Sequence, residues 1–120
     1  MGGFAKLIVY QKAFTLAMDI FRRSQRFPKE EKYGLTIQIR KSSRSVCASI
    51  AEAYRKRRYE KYFVSKSTDA DMENTETQVW LNFAVSCGYL EQPEYENFHN
   101  RSLEIGKMFH SMIHHPEKFR

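Results

Sequence analysis

Apolar residues recur at spacings of three and four along most of the chain, the period of an α-helix with one buried face. Between residues 8 and 26, Tyr10, Phe14, Ala17 and Phe21 form one such stripe, with Ala13 and Ile20 beside it. Phe27-Pro28 ends this helix, because the residue before a proline is pushed out of the α region. Pro28 opens a short segment with Glu30 and Glu31 in its first turn, where the helix dipole favours acids. Gly34 separates that turn from a long second helix over about residues 35–57, whose face is Leu35, Ile39, Val46, Ile50 and Tyr54. Ser42 and Ser43 fill the missing turn, and with Ala48, Ala51 and Ala53 they let a neighbouring helix approach closely. The third helix, about 60–87, carries Phe63, Ala70, Thr77, Leu81 and Ala84, thickened by Val79, Trp80, Phe83 and Val85. Gly88 supplies its C-terminal stop. The fourth, about 93–115, opens at Pro93 with Glu94 and Glu96, runs through Phe98, Ile105, Phe109 and Met112, and stops before Pro116.

Four helices with short connections predict an all-α fold, an antiparallel up-down-up-down four-helix bundle about 30 to 40 Å long. At 120 residues the chain makes one domain spanning residues 1–120. Its 5 Gly and 3 Pro are too few for an all-β fold, which needs frequent turns. The connection after the second helix is so tight that helices two and three form a hairpin folded near residue 58. Residues whose numbers sum to about 116 then face each other, which predicts structural ion pairs between Arg40 and Glu76 and between Arg44 and Glu73.

The apolar run Leu7 to Tyr10 is too short for a signal peptide or a membrane span, so a cytoplasmic protein without a membrane partner is expected. Met1-Gly2-Gly3-Phe4-Ala5-Lys6 begins like a myristoylation site but has Lys6 where Ser or Thr is required. Cys47 and Cys87 lie in helical segments without CxxC spacing, and each reads as a small buried apolar group, not a disulfide partner or zinc ligand.

Charge is segregated along the chain. The net charge of +6 resolves into +10 for residues 1–58 and −4 for residues 59–120. The densest feature is Tyr54-Arg55-Lys56-Arg57-Arg58-Tyr59-Glu60-Lys61-Tyr62, five cations interleaved with three tyrosines. Such a segment can hold phosphates on its charges and stack bases on its rings. Its structural reading is simpler: cations at a helix C-terminus answer the dipole, and the tyrosines line a rim. Asp69, Glu73 and Glu76 share a helical face that could hold Mg²⁺ or work as acid and base, but facing arginines make ion pairing the better expectation. His110 and His114 stand at i and i+4 without HExxH or a third ligand, and read as a solvent-facing pair. The serines of the second helix lack a Gly-flanked elbow, and Gly-rich phosphate loops are absent. No metal, cofactor or catalytic residue is assigned.

Leu7-Ile8-Val9-Tyr10-Gln11-Lys12-Ala13, Phe27-Pro28 with Glu31, Tyr33-Gly34-Leu35-Thr36, Gln38-Ile39-Arg40-Lys41-Ser42-Ser43, Ile50-Ala51-Glu52 and Gly88-Tyr89-Leu90 follow one another in a specific order. Together they resemble the four-helix bundle proteins of the 23S ribosomal RNA intervening-sequence family, with Ser49 and Ala53 where the family usually has Asn and Gly. The resemblance implies a left-handed antiparallel bundle that assembles into a ring, typically a homopentamer with a central channel. It also implies that most members have no established biochemical activity. A similar bundle is the accessory protein of diversity-generating retroelements, a basic pentameric barrel that binds nucleic acid and a reverse transcriptase. Carried over, that resemblance points to Arg40, Lys41, Arg44, Arg55, Arg57 and Arg58.

The combined expectation is a non-enzymatic homo-oligomer, a pentamer, that binds RNA or DNA through Arg40, Lys41, Arg44, Arg55, Lys56, Arg57, Arg58 and Lys61, in company with a nucleic-acid-processing protein. The alternative is a protein-protein adaptor whose basic face docks an acidic partner.

Overall fold

Four helices make up the structure: α1 (Ile8–Ser24), α2 (Leu35–Arg55), α3 (Glu60–Ser86) and α4 (Gln92–His114). Short 3₁₀ turns occupy Gly3–Lys6, Lys29–Glu31 and Pro116–Phe119. The structure is a computed structural model describing residues 3–120, so Met1-Gly2 of the start read above for lipidation lies outside the described residues.

Each helix stops where a local group forces it to. The end of α1 tightens through the Phe27 N–H bonded to the Ser24 carbonyl at 3.0 Å, and Pro28 follows. At the start of α2 the carboxylate of Glu31 accepts the Leu35 N–H at 3.0 Å, standing in for a side-chain cap. A Cβ on Gly34 would sit 2.7 Å from that carboxylate oxygen, so a larger residue there would push the Glu31 side chain off this bond. Gly88, at φ +79°, closes α3. The Tyr89 N–H reaches the Ala84 carbonyl at 2.8 Å and the Gly88 N–H reaches Val85 at 3.1 Å, the paired bonds of a Schellman end. Helix α4 begins with a reciprocal capping box between Glu91 and Glu94, and Pro93 sits in its first turn.

Each helix packs on its sequence neighbours, and α4 returns to pack on α1. Contacts at two levels show each seam to be antiparallel: Ser24 with Arg40 and Phe21 with Arg44 for α1/α2, Ser42 with Thr77 and Glu52 with Lys66 for α2/α3, Asn74 with Ser102 and Asn82 with Tyr95 for α3/α4, and Asp19 with Arg101 and Lys12 with Glu104 for α4/α1. This is an up-down-up-down bundle of 44 × 24 × 21 Å. The long dimension follows from α3, whose 27 residues span about 40 Å at helical rise.

The core draws on one stripe from each helix. In α4 it is Phe98, Ile105, Phe109 and Met112, and in α3 it is Phe63, Ala70, Thr77, Leu81 and Ala84, with Ser67 and Asn74 completing the face. The stripe of α1 is rotated from the expected one. Val9, Ala13, Leu16, Ala17 and Ile20 are buried, whereas Tyr10 and Phe21 are half-buried and Phe14 is exposed. The aromatic rings of α1 lie on the flank, where Tyr10 stacks on Phe14 with centroids 5.9 Å apart. Val79 and Phe83, expected to thicken the core end of α3, are exposed on its outer side.

Midway along the bundle the core turns polar. Asn74 donates to the Ser102 carbonyl at 2.9 Å and accepts from the Ser102 hydroxyl at 2.8 Å, while Gln78 donates to that hydroxyl at 3.0 Å. The Ser42 and Thr77 hydroxyls meet at 2.8 Å. Burial of these groups is tolerated because each is hydrogen-bonded.

The rotated stripe of α1 generates a prediction. Leu16→Ala, at a site only 3% exposed, should lower unfolding free energy by about 2 to 5 kcal/mol. Phe14→Ala, at a site 48% exposed, should cost less than half as much in the same urea titration, despite removing a larger side chain.

Candidate nucleic-acid interface

The pairs Ser42 with Thr77 and Glu52 with Lys66 (3.5 Å) set the α2/α3 register at residue numbers summing to 118–119, not 116. Neither expected ion pair forms. Arg40 turns to α1, where its Nε donates to the Ser24 hydroxyl at 2.8 Å and its guanidinium lies 4.7 Å from the centroid of the Phe21 ring. Arg44 lies over the same ring at 5.3 Å. Sequence numbering came within two to three residues of the level of these arginines against α3 and carried nothing on the direction in which they leave α2. They leave toward α1 because an aromatic face and a hydroxyl are there to receive them.

Of the two acids expected to pair with them, Glu76 is bonded elsewhere and Glu73 makes no ion pair among the described residues. Asp69 lies 3.7 Å from Lys66, and Glu76 accepts from the Trp80 indole at 3.3 Å. Burial pushes the Glu73 carboxyl up, Glu76 adds to the push and Lys41 opposes it. Among the described residues no group of three or more His, Cys, Asp or Glu is placed to hold a metal. His110 and His114 are exposed, with ring centroids 4.2 Å apart. Cys47 is half-buried and its burial pushes the thiol up to about 11, while Cys87 is exposed at the end of α3, correcting the expectation of burial.

Arg40, Lys41 and Arg44 form the wall of an open groove of about 610 Å³, completed by Lys32, Tyr33, Ile37, Ser45 and Ala48. Two guanidinium groups share one ring here. Burial and the neighbouring Arg44 both pull the Arg40 pKa down.

The second cluster lies at the far end of α2, in the turn to α3. Arg57 is folded back, with its Nη1 donating to the Tyr54 carbonyl at 3.0 Å and its guanidinium 4.1 Å from the Tyr54 ring. It caps the helix C-terminus as the structural reading expects. Lys56 lies over Tyr59 and Tyr62. Arg55, Arg58 and Lys61 are exposed. The groove and the turn are joined by one helical face: Ile37, Lys41, Arg44, Ala48 and Arg55 are spaced by four, three, four and seven along the outer side of α2.

Among the described residues, none of Arg40, Lys41, Arg44, Arg55, Lys56, Arg57, Arg58 and Lys61 makes an ion pair. Six acids pair with cations outside this set: Glu104 with Lys12, Asp19 with Arg22 and Arg101, Glu94 with Arg23, Glu52 and Asp69 with Lys66, and Glu60 with Arg120. Lys32, Tyr33 and Ile37 were not singled out as site residues from sequence. A signal for them was present in the exposed aromatic of Tyr33 beside a lysine, just ahead of the helix.

At the groove end of the bundle the loops are tied together. The Tyr89 hydroxyl donates to Glu31 at 2.9 Å, a bond that pushes the Tyr89 hydroxyl up to about 12. The Phe27 and Tyr89 rings pack 5.7 Å apart. Arg23 donates to the Tyr89 carbonyl at 2.9 Å and to both Glu94 oxygens, at 2.6 and 3.1 Å. Thus Phe27, Glu31, Gly34, Gly88 and Tyr89, distant in sequence, meet in one joint.

A family model described as 23S rRNA-intervening sequence protein matches residues 5–111. The chain belongs to that family. A solved structure from Bacteroides thetaiotaomicron, a protein with unknown function from the S23 ribosomal protein family, superposes with a TM-score of 0.81 at 30% identity, covering 89% of this chain and 96% of the other. No curated protein matches the chain. No helix among the described residues is long and apolar enough to cross a membrane. Within the matched span, Phe27, Glu31, Gly34 and Gly88-Tyr89 supply the joint that holds the loops beside the groove.

The joint has a pH signature. The hydrogen bond from Arg23, aided by the Glu91 N–H, holds the Glu94 carboxyl at about 2. An unfolded glutamate titrates near about 4.3, so this stabilisation is complete above that pH and is lost as pH falls toward about 2. Glu94→Gln should therefore destabilise the bundle by about 1 to 2 kcal/mol at neutral pH. In pH-resolved urea titrations, the gap between the two proteins should close as pH drops below about 4.

Proposed function

We propose that the chain acts without enzymatic chemistry, as a pentameric ring of helical bundles that binds nucleic acid through the outer side of α2 and the α2–α3 turn. The observation that carries this reading is the density of cations on one helix and its turn: among the described residues Arg40, Lys41, Arg44, Arg55, Lys56, Arg57, Arg58 and Lys61 make no ion pair, and the acids within that stretch, Glu52 and Glu60, pair with Lys66 and Arg120. Free, closely spaced cations gain most from a polyanion, because each phosphate they neutralise releases counterions.

Assembly is supported by α3. Met72, Val79 and Phe83 are exposed along its outer side, although its inner side already fills the core. A helix apolar on both sides is normally covered on both. A ring would also multiply a weak site: contacts in the non-specific range of about 10⁻⁴ to 10⁻⁶ M become useful when one strand spans several protomers. The alternative is an adaptor for an acidic protein, favoured by exposed Ile37 among the cations of the groove.

Light scattering is expected to give five times the 14.3 kDa protomer mass. In a salt titration the full chain should retain RNA or DNA at low salt and release it steeply. Arg44→Gln and Arg55→Gln should each reduce the slope of log affinity against log salt by roughly 0.7 to 0.9 per protomer engaged. A 14.3 kDa species removes the ring, and no retention at low salt removes nucleic acid and leaves the adaptor.

A further inference from the structure

Tyrosine rings accompany the free cations at both ends of α2. Tyr33 is 81% exposed, Tyr59 63% and Tyr62 62%. Each has an ammonium group against its ring: Lys32 at 5.4 Å from Tyr33, and Lys56 at 5.7 Å from Tyr59 and 5.3 Å from Tyr62. Among the described residues their hydroxyls make no hydrogen bond, unlike those of Tyr89 and Tyr95, which bond to Glu31 and Asn82. These three rings therefore do nothing for the bundle that their surroundings reveal, and they hold apolar area in water.

Between the rings runs the outer face of α2, with Lys41, Arg44 and Arg55 in line and the short side chains of Ser45 and Ala48 as a low floor in the groove. Glu52 is the acid beside this line, and Lys66 lies 3.5 Å from it. At helical rise the track is about 30 Å long. A duplex offers such a surface its phosphates but keeps its base faces stacked inside. A single strand offers phosphates and base faces together, and exposed aromatic rings beside cations match that pairing.

We infer that the α2 track binds single-stranded nucleic acid, with phosphates on Lys41, Arg44 and Arg55 and bases stacked on Tyr33 at one end and on Tyr59 and Tyr62 at the other. This rests on the nucleic-acid reading above and narrows its ligand class. The rings are placed to stack but not to read base edges, so the binding tolerates sequence.

Fluorescence anisotropy with the full chain tests it, using mixed-sequence probes of about 20 nucleotides, longer than the roughly 4 to 16 that a single-strand site occupies. Single-stranded RNA, single-stranded DNA and the matching DNA duplex form separate arms at one salt concentration. At least one single strand should bind about tenfold or more tightly than the duplex. Tyr33→Leu, and the double variant Tyr59→Leu with Tyr62→Leu, should each weaken single-strand binding about tenfold and duplex binding by less than about twofold, while Tyr33→Phe keeps the affinity. Circular dichroism should show unchanged helicity, since these side chains are outside the core. Equal affinity for duplex and single strand, or Leu variants that weaken both alike, overturns this inference while the broader nucleic-acid reading stands. Absence of binding to every probe overturns both.

Discussion

The seam between α1 and α4 is what turns four consecutive helices into a closed bundle. Sequential packing alone would leave a row of hairpins, and the return of α4 to α1 is secured by polar contacts at three levels: Arg23 with Glu94, Asp19 with Arg101 and Lys12 with Glu104. The first is the strongest, because a guanidinium that bonds both carboxylate oxygens and a backbone carbonyl is held in one geometry. Closure of the seam also settles where the molecule's charge goes. Asp19, Glu94 and Glu104 are used on the seam and unavailable to α2, and in α3 Glu60 pairs with Arg120, Asp69 with Lys66 and Glu76 bonds to Trp80, while Glu73 is close to Lys41. The basic surface of α2 is thus the complement of the seam, what is left after structural pairing has taken its share.

Much of the fold could be read from residue spacing, since α3 and α4 bury the stripes that their apolar residues mark out and α2 does so as far as Tyr54, which is half-buried. Phe98, Ile105, Phe109 and Met112 in α4 have no rival apolar face, so period alone identifies them. In α1 the spacing was ambiguous, because two overlapping stripes fit a helical period, one aromatic and one aliphatic. The aliphatic one is the core, as Val9, Leu16 and Ile20 fill the narrow space between helices, while Phe21 gives its ring face to two guanidinium groups. No single-helix pattern contains that preference.

The candidate interface was legible as composition and not as geometry. The run from Arg55 to Lys61 is visible to anyone counting charges, yet its Arg57 is spent on capping the helix, and the more open groove is built around residues separated by a turn, Lys32 and Tyr33 on one side and Arg40 to Arg44 on the other. Arg40 was expected against α3 and lies against α1. A helix in a square bundle has two neighbours, and a numbering rule for one hairpin carries no information on which neighbour a long side chain will choose.

The polar layer at the waist of the bundle has a mechanical consequence. Asn74, Gln78 and Ser102 are matched donor to acceptor across α3 and α4, with Ser42 and Thr77 doing the same across α2 and α3. An aliphatic core can slide by one helical turn and find new partners of similar shape. This layer cannot, because a slip of about 5.4 Å would strand several buried donors and acceptors at once. It acts as a detent that locks the axial offset of three helices, so that force applied along α2 would move the bundle as one rigid lever.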